Sequence, residues 1–316
     1  MNTQQKLKQY ALLVRLPNIF TSITNVLVGY FSVVGVTDSV ASQIGLLCGS
    51  SALLYASGIV FNDYFDLKVD LLERPSRPLP SGTISARNAL VLGIGTMITA
   101  NVLAFLASPT SLVFSLVLSG IILAYDKKAK WTVLGPFTMG LARFSNVFLG
   151  ASAAIGARLS QPASASDAYL TTLFPATAVF CYVYSITLLS RHEAEAPIDR
   201  PNSISTSKVQ RIAFLIIGMD VAAMGVFFAA IGKPLALFIT GILAFIVWYA
   251  WHASRKQPPG EAPRGRGIQQ AIKALVLSII VIDSAFIAAY AGIFYGLAAL
   301  LLLPAPIALS KKLYVT

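Results

Sequence analysis

The sequence is poor in charge, and poorest in acid. Of 316 residues only 12% are charged, and 13 are Asp or Glu against 24 Lys or Arg. Soluble domains carry roughly twice that share of charge. A chain this apolar cannot cover its own surface in water, and a disordered chain needs the opposite bias. Cysteine is nearly absent. Cys48 and Cys181 both lie in apolar runs, which excludes a disulfide-linked secreted scaffold. His192 and His252 are the only histidines and lack metal-ligand spacing, and no Cys/His cluster, P-loop or nucleophile elbow occurs. The net charge of +11 falls in short loops instead of forming a basic, aromatic-studded face, so no nucleic-acid partner is expected.

What is abundant is hydrophobic: 56% of residues, with a mean hydropathy of +0.73. Ten windows are long enough to cross a hydrocarbon core of ~30 Å. They lie near 16–36, 41–61, 86–107, 109–125, 132–157, 168–190, 209–231, 234–252, 268–291 and 293–310. The first follows Lys6, Lys8 and Arg15 but is too long for a signal-peptide core, and it reads as a helix. With residues 1–15 in the cytoplasm and strict alternation, 21 Lys and Arg fall on the cytoplasmic side. Only Arg158 and Lys233 fall opposite, and Arg143 lies inside a span. That asymmetry is the positive-inside pattern. The expectation is an all-α, polytopic helical bundle of nine to ten transmembrane helices, one domain over 1–316. Its loops at 62–85 and 191–208 face the cytoplasm, each following a pair of helices, as if a four-helix unit were used twice. Such repeats often hold a site at their interface.

The loop at 62–85 opens with Asn62-Asp63-Tyr64-Phe65-Asp66-Leu67-Lys68-Val69-Asp70. If the second helix continues through it, Asp63, Asp66 and Asp70 share one face. Three carboxylates on one stripe repel unless a cation sits among them, and oxygen-only ligands suit a hard ion such as Mg²⁺ that bridges to phosphates. Acids at a helix C-terminus also oppose the dipole, so they need a reason to be there. Arg74 and Arg77 follow, in a loop stiffened by Pro75, Pro78 and Pro80. Their forked donors suit a diphosphate.

Asn62 to Asp70 followed by Arg77-Pro78-Leu79-Pro80-Ser81-Gly82 resembles the first signature of the UbiA superfamily of intramembrane prenyltransferases. The resemblance runs from Leu16-Pro17-Asn18 through Tyr125 and the 127–130 loop to the loop at 191–208. It implies a helical bundle around a lipid-open central cavity, with Mg²⁺ and diphosphate at its cytoplasmic mouth. The implied reaction moves an isoprenoid chain from an allylic diphosphate to an acceptor that the sequence does not identify. On this reading Asp63, Asp66 and Asp70 hold the metal with Asn62 supporting. Arg74, Arg77, Lys127 and Lys130 neutralise phosphate charge; Asp63, Asp66, Arg77 and Lys127 are the catalytic candidates. A carbocation needs π faces, each worth ~0.5–2 kcal/mol, for which Tyr182, Tyr184 and Phe144 are candidates.

The second family signature, D-x-x-x-D, is altered. Its place reads Ser190-Arg191-His192-Glu193-Ala194-Glu195-Ala196-Pro197-Ile198-Asp199. Arg191, His192, Glu193, Glu195 and Asp199 are the candidates there. One metal in place of two, a different phosphate contact, or lost catalysis are the open readings. The last leaves a non-catalytic protein that binds or transports a membrane-associated isoprenoid or lipid precursor; a structural subunit of a membrane assembly is a third reading. Ser190 to Glu193 resembles the UbiA-like EboC branch of bacterial gene clusters, which implies a bacterial inner membrane. Arg143, Asp220 and Asp283 sit inside spans, where each costs ~2.5–3.5 kcal/mol on insertion scales unless partnered. Arg143 is read as facing the cavity and touching phosphate or acceptor, with Asn146, one turn away, and Asn25 as further cavity candidates.

Overall fold

The computed structural model describes residues 3–34, 41–159, 162–194, 206–255 and 265–313. These residues form fourteen α-helices: α1 (Thr3–Leu13), α2 (Ile19–Val34), α3 (Ala41–Phe65), α4 (Leu67–Glu73), α5 (Ala86–Ala107), α6 (Pro109–Lys127), α7 (Gly135–Arg158), α8 (Pro162–Ala194), α9 (Thr206–Ala230), α10 (Pro234–Arg255), α11 (Gly265–Leu277), α12 (Ile279–Ala291), α13 (Ile293–Leu300) and α14 (Pro304–Leu313). Eight stretches are long and apolar enough to cross a membrane; α11 and α12 count as one, bent at Ser278. α7 is long enough, about 36 Å at 1.5 Å per residue, but with Arg143 and Asn146 inside it is less apolar than those eight. The tenth window is broken: α13 and α14 are two short helices. Gly292 (φ 94°) turns α13 back along α12, where Gly296 meets Ala288, and α14 returns to Leu16–Asn18.

Burial is inverted relative to a soluble protein. Outward faces of α5, α6, α9 and α10 expose Val91, Ile98, Leu116, Leu215, Val226 and Phe245. Inside, Thr21, Thr24, Asn25, Ser51, Ser111 and Asp283 are almost fully buried. The span over Gly267–Ala291 is the most enclosed, 72% buried. Lipid offers no hydrophobic drive between helices, so close backbone approach and hydrogen bonding do the holding. At the crossing of α2 and α7, a Cβ on Gly29 would stand 1.8 Å from the Val147 carbonyl oxygen, and one on Gly150 would stand 2.0 Å from that of Val26. Only glycine fits this reciprocal contact.

Turn chemistry sets the register of the mouth. Ser108 ends α5 and caps α6 by accepting from the Ser111 N–H at 2.9 Å, with Pro109 in the first helical turn. Arg15 adopts a left-handed backbone (φ 47°) and Pro17 follows, so α1 breaks away from α2. Residues 74–85 fold as a cap. Leu79 and Ile84 bury against Leu13, Val60 and Ala89, and Gly82 closes a turn at φ 72°.

Candidate functional site at the mouth of the bundle

The C-terminal ends of α3, α6 and α8, the N-terminal ends of α7 and α11, and the turn before α2 meet at one end of the bundle. They enclose a cavity of about 950 Å³. The negative dipole ends of α3 and α6 converge there with four aspartates, so cations must balance them.

Asp66 interrupts the helix: α3 stops at Phe65 and α4 starts at Leu67, yet the Asp70 N–H still donates to the Asp66 carbonyl at 2.8 Å. The expected stripe is therefore kinked, and its members divide. Asp63 and Asp70 share Arg77, whose Nη1 lies 3.5 Å from Asp63 Oδ1 and 2.7 Å from Asp70 Oδ2. Arg15 Nη2 donates to Asp63 Oδ1 at 3.0 Å, and Arg74 stands 3.9 Å from Asp70. Asp66 turns to Lys130, whose Nζ lies 2.6 Å from Oδ1; the same ammonium donates to Asn62 Oδ1 at 3.2 Å. Burial pushes the Asp66 carboxyl above the usual carboxylate range. Lys130 opposes that rise, while the Asp70 and Asp63 charges add to it.

The cavity wall itself carries Arg15, Asn62, Arg74, Arg77, Lys130, Arg143, Asn146 and Arg191, with Asp63, Asp66 and Asp70 behind the cations that pair with them. Asp126, on the last turn of α6, is on the wall and 3% exposed, and its Oδ2 finds no hydrogen-bond donor among the described residues. Among the described residues no three of His, Cys, Asp and Glu form a ready-made metal cluster. The oxygen donors nonetheless suit a hard divalent ion. Asn62, Asp66 and Asp126 surround the Lys130 region, and Asp126 Oδ2 is a buried acceptor without a donor.

Several expected site residues stand elsewhere. Lys127 is exposed and off the cavity wall, because the turn at Ala129–Trp131 brings Lys130 inward instead. Asn25 is fully buried and does not reach the wall; its Nδ2 donates to Asp283 at 3.0 and 2.8 Å. Tyr184 stacks on Phe180, away from the cavity, and Tyr182 is core, its hydroxyl 2.7 Å from Ser278. Phe144 packs on Phe148. The aromatic rings that do line the cavity are Tyr55 and Tyr125. Asn146 lies on the wall and ties three helices together, donating to the Ser22 carbonyl and accepting from Ser51, both at 2.8 Å. Arg191 donates to the Thr132 carbonyl. Only the helical backbone of His192 and Glu193 is described, and Glu195 and Asp199 lie outside the described residues. Asp220 is half-buried on α9, and its buried Oδ2 has no donor among the described residues. Sequence reading missed Arg15, Tyr55, Asp126 and Lys273; for Asp126 the signal was an acid at the end of an apolar span, beside Tyr125.

The family model for "UbiA prenyltransferase family" matches residues 22–266. A digeranylgeranylglyceryl phosphate synthase of Methanococcoides burtonii is 31% identical over 133 residues, 40% of this chain and 47% of that protein. The chain spans about half or less of the length of the first curated relatives it matches. A longer match, to the protein of the same name from Saccharolobus solfataricus, is 27% identical over 76% of this chain and 81% of the relative. Among solved structures, a UbiA homologue from Archaeoglobus fulgidus bound to GPP and Mg²⁺ superimposes with a TM-score of 0.63 at 18% identity. That match covers 92% of this chain and 99% of the other. The apo UbiA homologue from Aeropyrum pernix K1 gives 0.63 at 17%, over 86% and 97%. At these identities the structural likeness speaks to the fold.

Proposed function

Since the chain belongs to the UbiA prenyltransferase family, we propose that it is a Mg²⁺-dependent intramembrane prenyltransferase, moving an isoprenoid chain from an allylic diphosphate to an acceptor. The observation that carries this reading is the pairing, at one mouth of a large membrane-embedded cavity, of clustered carboxylates with Arg15, Arg77 and Lys130. Together the two sets suit a metal-diphosphate headgroup. Asp66, Asp126 and Asn62, with Asp63 and Asp70, would hold the ion. When bound, Mg²⁺ supplies positive charge against the departing diphosphate.

The chain's own residues do the rest. Arg77, now spanning Asp63 and Asp70, and Arg74, half-exposed beside it, offer planar donors to phosphate oxygens. Lys130 offers a point charge on the facing wall. Preorganised cations at the place where negative charge develops lower the barrier to C–O cleavage. Deeper in, Leu54, Ile59, Leu118, Ile122 and Met139 line the cavity and would take the prenyl tail at ~0.8 kcal/mol per buried CH₂. Tyr55 and Tyr125 offer π faces to the allylic cation.

We place this mouth at the cytoplasmic face of a plasma membrane. The support is the charge asymmetry of the loops, every segment of the mouth lying on the side that carries the excess. A bacterial inner membrane rests on the Ser190–Glu193 likeness, and the relatives named above are archaeal. The altered second motif supports a site with one metal, Arg191 standing on the wall where that motif begins. The test is incubation of the purified chain with labelled geranyl, farnesyl or geranylgeranyl diphosphate, Mg²⁺ and a lipid extract. The relatives' shared name makes a glyceryl phosphate ether the first defined acceptor to add. Release of pyrophosphate with prenyl product is expected. Mg²⁺-dependent donor binding without turnover would leave the precursor-binding reading in its place.

A further inference from the structure

Below the mouth the cavity has a second polar level. Tyr55 lies seven residues before Asn62 on α3, about 10 Å deeper by helical rise. There Arg143 of α7 reaches the wall, its guanidinium 5.3 Å from the Tyr55 ring centroid. Its Nη1 donates to Asn25 Oδ1 at 3.1 Å and its Nη2 to Thr21 Oγ1 at 3.0 Å. A guanidinium has five N–H donors, so among the described residues three find no acceptor. Behind it the geometry is held firmly. Both oxygens of Asp283 accept from Asn25 Nδ2, and Thr24 Oγ1 donates to Asp283 at 2.5 Å. That fixes the Asn25 amide with its oxygen toward Arg143. Asp283 supplies the compensating charge without touching the guanidinium or consuming its remaining donors.

A hydrocarbon tail has no use for a cation at this depth, and an arginine inside a membrane protein is expensive to keep. The mouth already holds cations for a diphosphate. We infer that Arg143 is the acceptor-reading residue of this chain: it binds an anionic oxygen headgroup, phosphate or carboxylate, on the prenyl acceptor. Asn25 and Asp283 act as positioning residues behind it. Two anions in one cluster would repel; two cationic levels separated by about two helical turns let donor and acceptor sit together with the acceptor hydroxyl between them. This rests on the prenyltransferase reading above, which put the donor diphosphate at the mouth.

The test uses the full chain in detergent, with Mg²⁺, and the variants Arg143→Met and Arg143→Lys. Binding of geranylgeranyl diphosphate is measured first. Binding of two anionic probes is then measured, a monoprenyl glyceryl phosphate ether and 4-hydroxybenzoate, each against its uncharged counterpart, the free alcohol and the methyl ester. Wild type is expected to prefer at least one anionic probe by about 10- to 100-fold, the range for losing a charge-assisted hydrogen bond. It should bind that probe together with the donor. Arg143→Met should abolish the preference while donor affinity stays within about threefold, which also shows that the variant is folded; Arg143→Lys should recover part of it. Loss of donor affinity in Arg143→Met would instead make Arg143 a diphosphate group and overturn the inference. Equal binding of charged and uncharged probes by wild type would overturn it too. If wild type binds no allylic diphosphate, the prenyltransferase reading fails, while the anion preference and its loss in Arg143→Met are still read independently.

Discussion

Gly150→Ala asks whether the polar interior depends on one backbone contact. The added Cβ would lie 2.0 Å from the Val26 carbonyl oxygen, and such contacts are essentially never below 3.0 Å. The clash is with backbone at the centre of α2, so no side chain can rotate away. The two helices must separate by at least 1 Å. Three bonds cross this interface close by: Arg143 to Thr21 at 3.0 Å, Arg143 to Asn25 at 3.1 Å, and Asn146 to the Ser22 carbonyl at 2.8 Å. Moved by 1 Å, each passes beyond hydrogen-bonding range. Losing two or three at ~1 kcal/mol net each, with overpacking costs of the same order, predicts a destabilisation of about 3–5 kcal/mol. Gly95→Ala is the control, since on α5 its Cβ would meet nothing within 4 Å and Ala is the better helix former. Reversible unfolding in mixed detergent, by circular dichroism against SDS fraction, measures both. Gly150→Ala should also weaken binding of an anionic acceptor probe more than binding of the donor. Equal stability of the two variants would refute the close-crossing argument.

Asp66→Ala should abolish Mg²⁺-dependent binding of geranylgeranyl diphosphate, as should EDTA with the wild type; calorimetric titration that still shows metal-dependent binding would remove Asp66 from the metal site. Arg77→Ala leaves Asp70, 3% exposed, with only Arg74 at 3.9 Å among the described cations, and should cost about 1–3 kcal/mol in the same unfolding assay. Arg77→Lys should recover little, because one ammonium cannot span Asp63 and Asp70. Because Asp66 sits above the ordinary carboxylate range, protons should displace the metal at a higher pH than an unperturbed carboxylate would allow. Donor binding should therefore fail on acidification from an elevated midpoint, and Lys130→Met should raise that midpoint further. A chain freed of Cys48 and Cys181 and given one cysteine in place of Lys68 or Lys233 reports topology. An impermeant maleimide should reach the first only from the cytoplasmic face and the second only from the opposite face.

Much of the architecture was legible because a bilayer imposes one rule: each crossing must be a helix of a minimum length that satisfies its own backbone. The windows at 86–107 and 234–252 match α5 and α10 closely, and Pro109 and Ser108 mark a helix start by local chemistry alone. The last window was less legible. Its apolar run looks continuous, but Gly292 and the turn before Pro304 divide it into two short helices. At the site, acids adjacent in sequence were easy to find, because helical spacing relates Asp63 to Asp70 directly. The division of labour among them was not. Arg15 reaches Asp63 from 48 residues away, and Asp283 reaches Asn25 across 258.

The run of apolar residues, the distribution of Lys and Arg, and the Asn62–Gly82 stretch settle that this is a membrane bundle with a charged mouth, because each depends on composition or on local periodicity. Which lysine turns inward, Lys130 and not Lys127, depends on a short turn between two helices. That Asp126 keeps a carboxylate oxygen without a donor depends on how α6 packs beside α3. That Arg143 stands below the mouth with donors to spare follows from two glycines that let α2 and α7 touch. Contacts between residues far apart in the chain carry no local signature; only the packed arrangement of helices brings them into range.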